Sequence, residues 1–112
     1  MAYDLKQVDE LADGDVEFKE TLVKAFVEEI PQDIQALEEA VNAKDHTLTY
    51  QMAHKMKPNF MMFGRSDLME LSLSIEKMGK AKQSFDTITE SFKELRVQTR
   101  VMIKAMIADF GL

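Results

Sequence analysis

Apolar residues recur along this chain at intervals of three and four, the period of helices that bury one face. From Phe18, the positions Leu22, Phe26, Ile30, Ile34, Leu37 and Val41 keep that phase straight across Pro31. The unbroken register predicts one long helix, with two helices meeting at Pro31 as the alternative. Pro31 has no N–H to offer the carbonyl of Val27 and its ring crowds that group, so a bend is expected near Val27. A second stripe, Leu48, Met52, Met56, Phe60 and Phe63, predicts a helix opened by Asp45 as N-cap and closed by Gly64. A third, Leu68, Leu71, Ile75 and Met78, follows Ser66 or Asp67 as cap and runs to a second terminal glycine, Gly79. In the last helix, Phe85, Ile88, Phe92, Leu95, Met102, Met106 and Phe110 form the stripe, with Thr99 its one polar member. That helix runs from about Ser84 to Asp109 and spans roughly 39 Å.

Ahead of these, Asp4 can cap a short helix reaching about Ala12, and Asp13-Gly14-Asp15 reads as a turn followed by a new N-cap. Links as short as Asn42 to Asp45 make consecutive helices antiparallel neighbours. The expected architecture is all-α: an antiparallel up-down-up-down four-helix bundle, with the short additional N-terminal helix packed over one end. Residues 1–112 form a single domain in this reading, a length sufficient for one helical core.

Composition narrows what such a bundle does. With 14 basic and 20 acidic residues the formal charge is −6, which opposes binding to nucleic acid. No stretch of 18 apolar residues and no basic-then-apolar leader occurs, so no membrane association is expected and the cytoplasm is the expected location. The absence of Cys removes disulfides, thiolate-bound zinc and thiol catalysis. The glycines at 14, 64, 79 and 111 belong to no Gly-x-Gly-x-x-Gly or Walker motif, so neither an ATP site nor independent kinase activity is expected.

Candidate chemistry gathers on one helix. Tyr50, His54, Lys57, Pro58, Met61 and Arg65 fall on a face turned away from the Met52, Met56, Phe60 and Phe63 edge, so His54 should point outward. A neutral imidazole is a good nucleophile near pH 7, since the reference pKa of the group is about 6.5. Lys57, one turn on, can neutralise phosphoryl oxygens beside it. Phosphoryl transfer asks for in-line positioning and charge compensation more than covalent help. His46 stands at a helix start without such company and reads as surface.

The stretch Ala53-His-Lys-Met-Lys-Pro-Asn-Phe-Met-Met-Phe-Gly64 resembles the histidine-containing phosphotransfer (HPt) domain of bacterial multistep phosphorelays. That family's pattern is His, Lys three residues later with a small residue, usually Gly, beside it, and Gly ten residues after the His. His54, Lys57 and Gly64 match in register, and Pro58 replaces the usual glycine. The likeness covers roughly Phe18 to Lys80, and the last helix shares only length and amphipathicity.

The resemblance implies a phosphorelay intermediate that is not an enzyme in its own right. Nε2 of His54 would take a phosphoryl group from a receiver-domain aspartyl phosphate and pass it to another receiver. Lys57 would stabilise the added charge, and Glu76 on the next helix would orient the ring through Nδ1. The receiver would bring Mg²⁺, so the chain needs no cofactor of its own. Partners would be response-regulator receiver domains, one of them in a hybrid sensor histidine kinase, and the chain would be a monomer. Tyr50, Pro58 and Met61 are the candidate docking patch, with Lys55, Arg65 and Lys80 to steer an acidic receiver. The alternative is a non-catalytic receiver-binding adaptor with the same bundle fold, motivated by Pro58 and the adjacent methionines.

Overall fold

A computed structural model describes residues 2–112. The helices are α1 (Lys6–Ala12), α2 (Val16–Asn42), α3 (His46–Met62), α4 (Ser66–Lys80) and α5 (Phe85–Phe110). Among the described residues there is no strand, and no helix is long and apolar enough to cross a membrane. Helix α2 packs on α3, α3 on α4, α4 on α5 and α5 back on α2, which closes a four-helix ring through the short links 43–45, 63–65 and 81–84.

The long helices α2 and α5, with 27 and 26 residues, exceed α3 and α4, with 17 and 15, by about 15 Å of rise. Helix α1 and the residues before it cover the end that this difference exposes. There the Asp4 N–H donates to the Phe63 carbonyl at 2.8 Å, and the Tyr3 hydroxyl donates to Asp109 at 2.5 Å. Burial, then the hydrogen bond and charge of Asp109, push the Tyr3 hydroxyl up to about 12.

Helix ends follow the caps that the sequence offers in most places. Asp15, Asp45 and Ser84 each accept a backbone N–H at the start of their helices. At the end of α3, Gly64 takes φ +72° and the Arg65 N–H bonds the Phe60 carbonyl at 2.9 Å, the closed turn that a left-handed residue permits. Helix α2 continues unbroken through Pro31, so the two-helix alternative does not form.

Several expectations need correction. Leu5, not Asp4, is the N-cap of α1, although the Asp4 carboxylate accepts from the Lys6 N–H at 2.7 Å and satisfies that end from one residue earlier. Arg65, rather than Ser66 or Asp67, occupies the N-cap position of α4. Gly79 does not end α4. Lys82 takes the left-handed position with φ 52°, and the Gln83 N–H reaches the Met78 carbonyl at 3.0 Å. Gly79 is instead buried inside the helix, where an added Cβ would lie 3.0 Å from Tyr50 Cβ and 3.1 Å from the His46 carbonyl oxygen.

A further difference lies on the core-facing edge of α3. The buried edge of α3 is Thr49, Ala53, Met56 and Phe60, continued by Phe63, so Met56, Phe60 and Phe63 are buried as expected while Leu48 is exposed and Met52 half-buried, a shift of one residue in the first half of the stripe. The small side chains of Thr49 and Ala53 are fully buried, while the larger Leu48 is left exposed. Towards the other end of α3, Phe60 and Phe63 pack with Phe26 of α2 as an aromatic cluster, with ring centroids 6.3 and 4.5 Å from Phe26.

Candidate functional site

The seam that Gly79 tightens also sets the register between α3 and α4. With Tyr50 opposite Gly79, antiparallel packing carries Glu76, one turn back along α4, to His54, one turn on along α3. His54 Nδ1 lies 2.8 Å from Glu76 Oε2. The Lys57 ammonium donates to Oε1 of the same carboxylate at 2.7 Å and to Oε2 at 3.4 Å. Side-chain exposure grades across the three, from 4% for Glu76 through 21% for Lys57 to 68% for His54.

This grading fixes the protonation logic. Burial by itself pushes the Glu76 carboxyl upward, but hydrogen bonds from Lys57 and His54, with their charges, outweigh it and hold the group below its ordinary range. An ionised carboxylate only accepts hydrogen bonds, so the imidazole nitrogen facing it must carry the proton. The lone pair is then on Nε2, on a ring that is mostly in solvent. Lys57 spends its charge inside the protein in this state, a pairing that its place on the His54 face did not disclose.

The other residues singled out on this face divide. Tyr50 is half-buried with the Lys80 ammonium 5.5 Å from its ring centroid. Pro58 and Met61 are exposed beside His54 on α3, which runs through Pro58 without interruption. Having no N–H, Pro58 leaves the His54 carbonyl without an amide donor one turn on. Lys55 turns toward α2, where Asp33 accepts at 2.8 Å and Glu29 lies at 3.9 Å. The Asp33 hydrogen bond and charge raise its pKa.

Arg65 departs from the docking set. Its side chain is 12% exposed, binds both oxygens of Asp67 at 2.9 Å and donates to the Ala2 carbonyl at 2.6 Å. The Gly64 turn ends the helical phase that placed Arg65 beside Met61, so the guanidinium clamps the α3–α4 turn to the N-terminal segment. His46 is likewise no idle surface group: Nε2 is 2.8 Å from the Gln83 carbonyl and the ring packs 4.3 Å from Phe85, which staples the α4–α5 link to α3.

Sequence reasoning missed Asp33, an acid 3% exposed among the core residues of α2. The available signal was its position beside Ile34 and one turn after Ile30, where a solvated acid does not belong.

The site is thus an exposed imidazole backed by a buried carboxylate and a neighbouring lysine, on a bundle of four long helices. A family model of the Hpt domain matches residues 21–108. The chain belongs to that family, whose members carry phosphoryl groups between receiver domains in phosphorelays and are not kinases. Among solved structures it is similar to the histidine-containing phosphotransfer protein B (HptB) of Pseudomonas aeruginosa PAO1. The TM-score is 0.85 at 14% identity, covering 96% of this chain and 93% of that one, a likeness of fold. Comparison with curated protein sequences gives no match.

Proposed function

We propose that His54 is the phosphoacceptor, with Nε2 as the reacting atom. The observation that carries this reading is the 2.8 Å contact of Nδ1 with a buried carboxylate, on a ring otherwise open to a partner. The Nε2 lone pair attacks phosphorus of a receiver's aspartyl phosphate, the P–O bond breaks, and the aspartate leaves with the electron pair. The ring becomes an Nδ1-protonated cation, which Glu76 compensates. In the onward step a second aspartate attacks phosphorus and the N–P bond breaks. The Nδ1 proton stays in place throughout, so the chain needs no separate acid or base.

Lys57 uses two ammonium hydrogens on Glu76 and keeps a third for a phosphoryl oxygen. Mg²⁺, which offsets phosphoryl charge in such transfers, is assigned to the receiver's acidic pocket. Tyr50, Pro58, Met61 and Lys80 form the docking surface in this reading, with Lys55 at its edge held by Asp33. The donor is a hybrid sensor histidine kinase and the acceptor a response regulator. The chain acts as a monomer in the cytoplasm and has no ATP site.

Incubation with a phosphorylated receiver should place acid-labile label on this chain and none on His54→Gln. Label on His54→Gln would overturn the assignment. An adaptor would bind the receiver without label, indifferently to that substitution. Label taken directly from ATP would refute the carrier reading, and a solution mass of twice 12.8 kDa would refute the monomer.

A further inference from the structure

Helices α2 and α5 leave a cleft of about 510 Å³ along their seam, across the ring from the α3–α4 seam that holds His54. Its volume falls within the roughly 300–1,000 Å³ of small-molecule sites, and its lining changes character along its length. One end is apolar, built from Pro31 and Ile34 of α2 with Ile103 and Ile107 of α5. At the other end Arg96, Thr99 and Arg100 come together within one helical turn, opposite Glu38. Lys104 stands on the rim between them.

Two observations show that the polar end is incomplete. Thr99 is 2% exposed, yet its hydroxyl has no hydrogen-bond partner, and the buried Arg96 Nε has none either. A buried polar group without a partner costs roughly 1–3 kcal/mol, so two such groups side by side on a cleft mark a place where an acceptor is missing. Charge points the same way. Arg96, Arg100 and Lys104 face one acid, Glu38, which is already engaged by Arg96, while the chain as a whole carries −6. Arg100 and Lys104 make no ion pair among the described residues.

We infer that this cleft binds a small anionic amphiphile, a carboxylate bearing an apolar tail. The carboxylate pairs with the Arg100 guanidinium at the mouth of the cleft and accepts from Thr99 Oγ1 and Arg96 Nε once side-chain movement uncovers them, and the tail lies over Ile34, Ile103 and Ile107. Occupancy leaves His54 open, so such a ligand and a receiver bind together. The site is independent of the phosphoacceptor assignment.

Decanoate below its micellar concentration is the probe, with decanol as the uncharged control, followed by amide chemical shifts of the ¹⁵N-labelled full chain. Saturable decanoate shifts should be confined to residues 31–38 and 96–107, with decanol binding much more weakly. Arg100→Glu, on an exposed side chain, should weaken decanoate by about tenfold or more and leave decanol unchanged, the effect of losing a charge-assisted contact and adding a repulsive one. Thr99→Val should weaken decanoate while raising the melting temperature of the free protein, because it removes the unpartnered hydroxyl. Non-saturable or scattered shifts, equal binding of decanol, or indifference to Arg100→Glu would overturn the assignment. A helical acidic peptide that shifts these amides when decanoate does not would overturn it in favour of a protein ligand.

Discussion

Replacing Glu76 with Gln separates the role of its charge from that of its shape. Gln fills the same buried volume and its amide oxygen can still accept from His54 Nδ1 at the present 2.8 Å. What disappears is the negative charge that both Lys57 and the ring face. A hydrogen bond to a charged group contributes roughly 1.5–3 kcal/mol, against about 1 for a neutral one. In the transfer proposed here the ring turns cationic as the N–P bond forms, so about 0.5–2 kcal/mol of transition-state stabilisation is at stake, or about 2- to 30-fold in rate. The same cation forms on the path back, so both directions should slow together, with the transfer equilibrium much less changed. The assay is a time course of label moving from a phosphorylated receiver to the chain and from the labelled chain to a second receiver. Imidazole ¹⁵N shifts give the tautomer, and a thermal melt gives the fold. Wild-type rates in both directions with a folded protein would refute the reasoning, and so would a resting tautomer with the proton on Nε2 in the parent chain.

Lys57→Ala leaves the buried Glu76 with only the exposed ring for company; it should cost about 1–3 kcal/mol in urea unfolding and slow transfer, and unchanged values in both would remove its role. Because the Glu76 carboxyl sits below its ordinary value of 4.5 in the folded protein, its contribution is present above that pH and lost as pH falls through the folded value. The stability difference between the parent and Glu76→Gln should therefore shrink on acidification below about pH 4.5, and a difference that grows there would contradict the pairing. Gly79→Ala puts a methyl group 3.1 Å from the backbone of His46 and Tyr50, which cannot yield as a side chain would. The overpacking cost of about 1–3 kcal/mol should exceed the helix-propensity gain of about 0.5–1, and withdrawal of Glu76 should slow transfer, so a raised melting temperature with normal transfer would refute this account of the seam.

The difference between what was legible and what was not follows the range of each constraint. His54 and Lys57 share one helix, and Gly64 ends it by a local backbone rule, so residue spacing sufficed for all three. Glu76 could be suspected but not placed, because its distance to His54 depends on how far α4 slides along α3. That register is set by Gly79 against Tyr50, and Gly79 itself looked like a helix end when only its position after Met78 was available. In α3 only the first two positions of the expected stripe were misplaced, since Met56, Phe60 and Phe63 are buried as the periodicity predicts. Ranking positions by apolar size favours Leu48 and Met52, whereas the core takes the smaller Thr49 and Ala53. Arg65 was lost at the Gly64 turn, beyond which a helical projection no longer describes the chain. Asp33 was overlooked because an acid in a stripe reads as a gap, and only the three-dimensional neighbour Lys55 supplies its counter-charge.

Charge balance around His54 connects this geometry with the work of an intermediate carrier. Lys57 is matched by Glu76, and Lys55 is turned to Asp33 on α2, so both lysines that flank His54 on α3 are paired in the resting site. A unit charge 4 Å away at an effective dielectric constant near 20 is worth about 4 kcal/mol, so one unpaired lysine would favour phosphohistidine by several hundredfold or more. A group held that firmly would be accepted quickly and surrendered slowly. With Lys57 shared between Glu76 and a phosphoryl oxygen, its gain on phosphorylation is partial, and the cationic ring and Glu76 cancel each other in the phosphorylated state. In the proposed transfer, the pairing that draws Lys57 partly out of solvent therefore levels the two states, while the carboxylate behind the ring lowers the barrier between them. Level states with a low barrier are what transfer from one aspartyl phosphate to another requires, since the carrier then adds little bias of its own to the direction that the two receivers set.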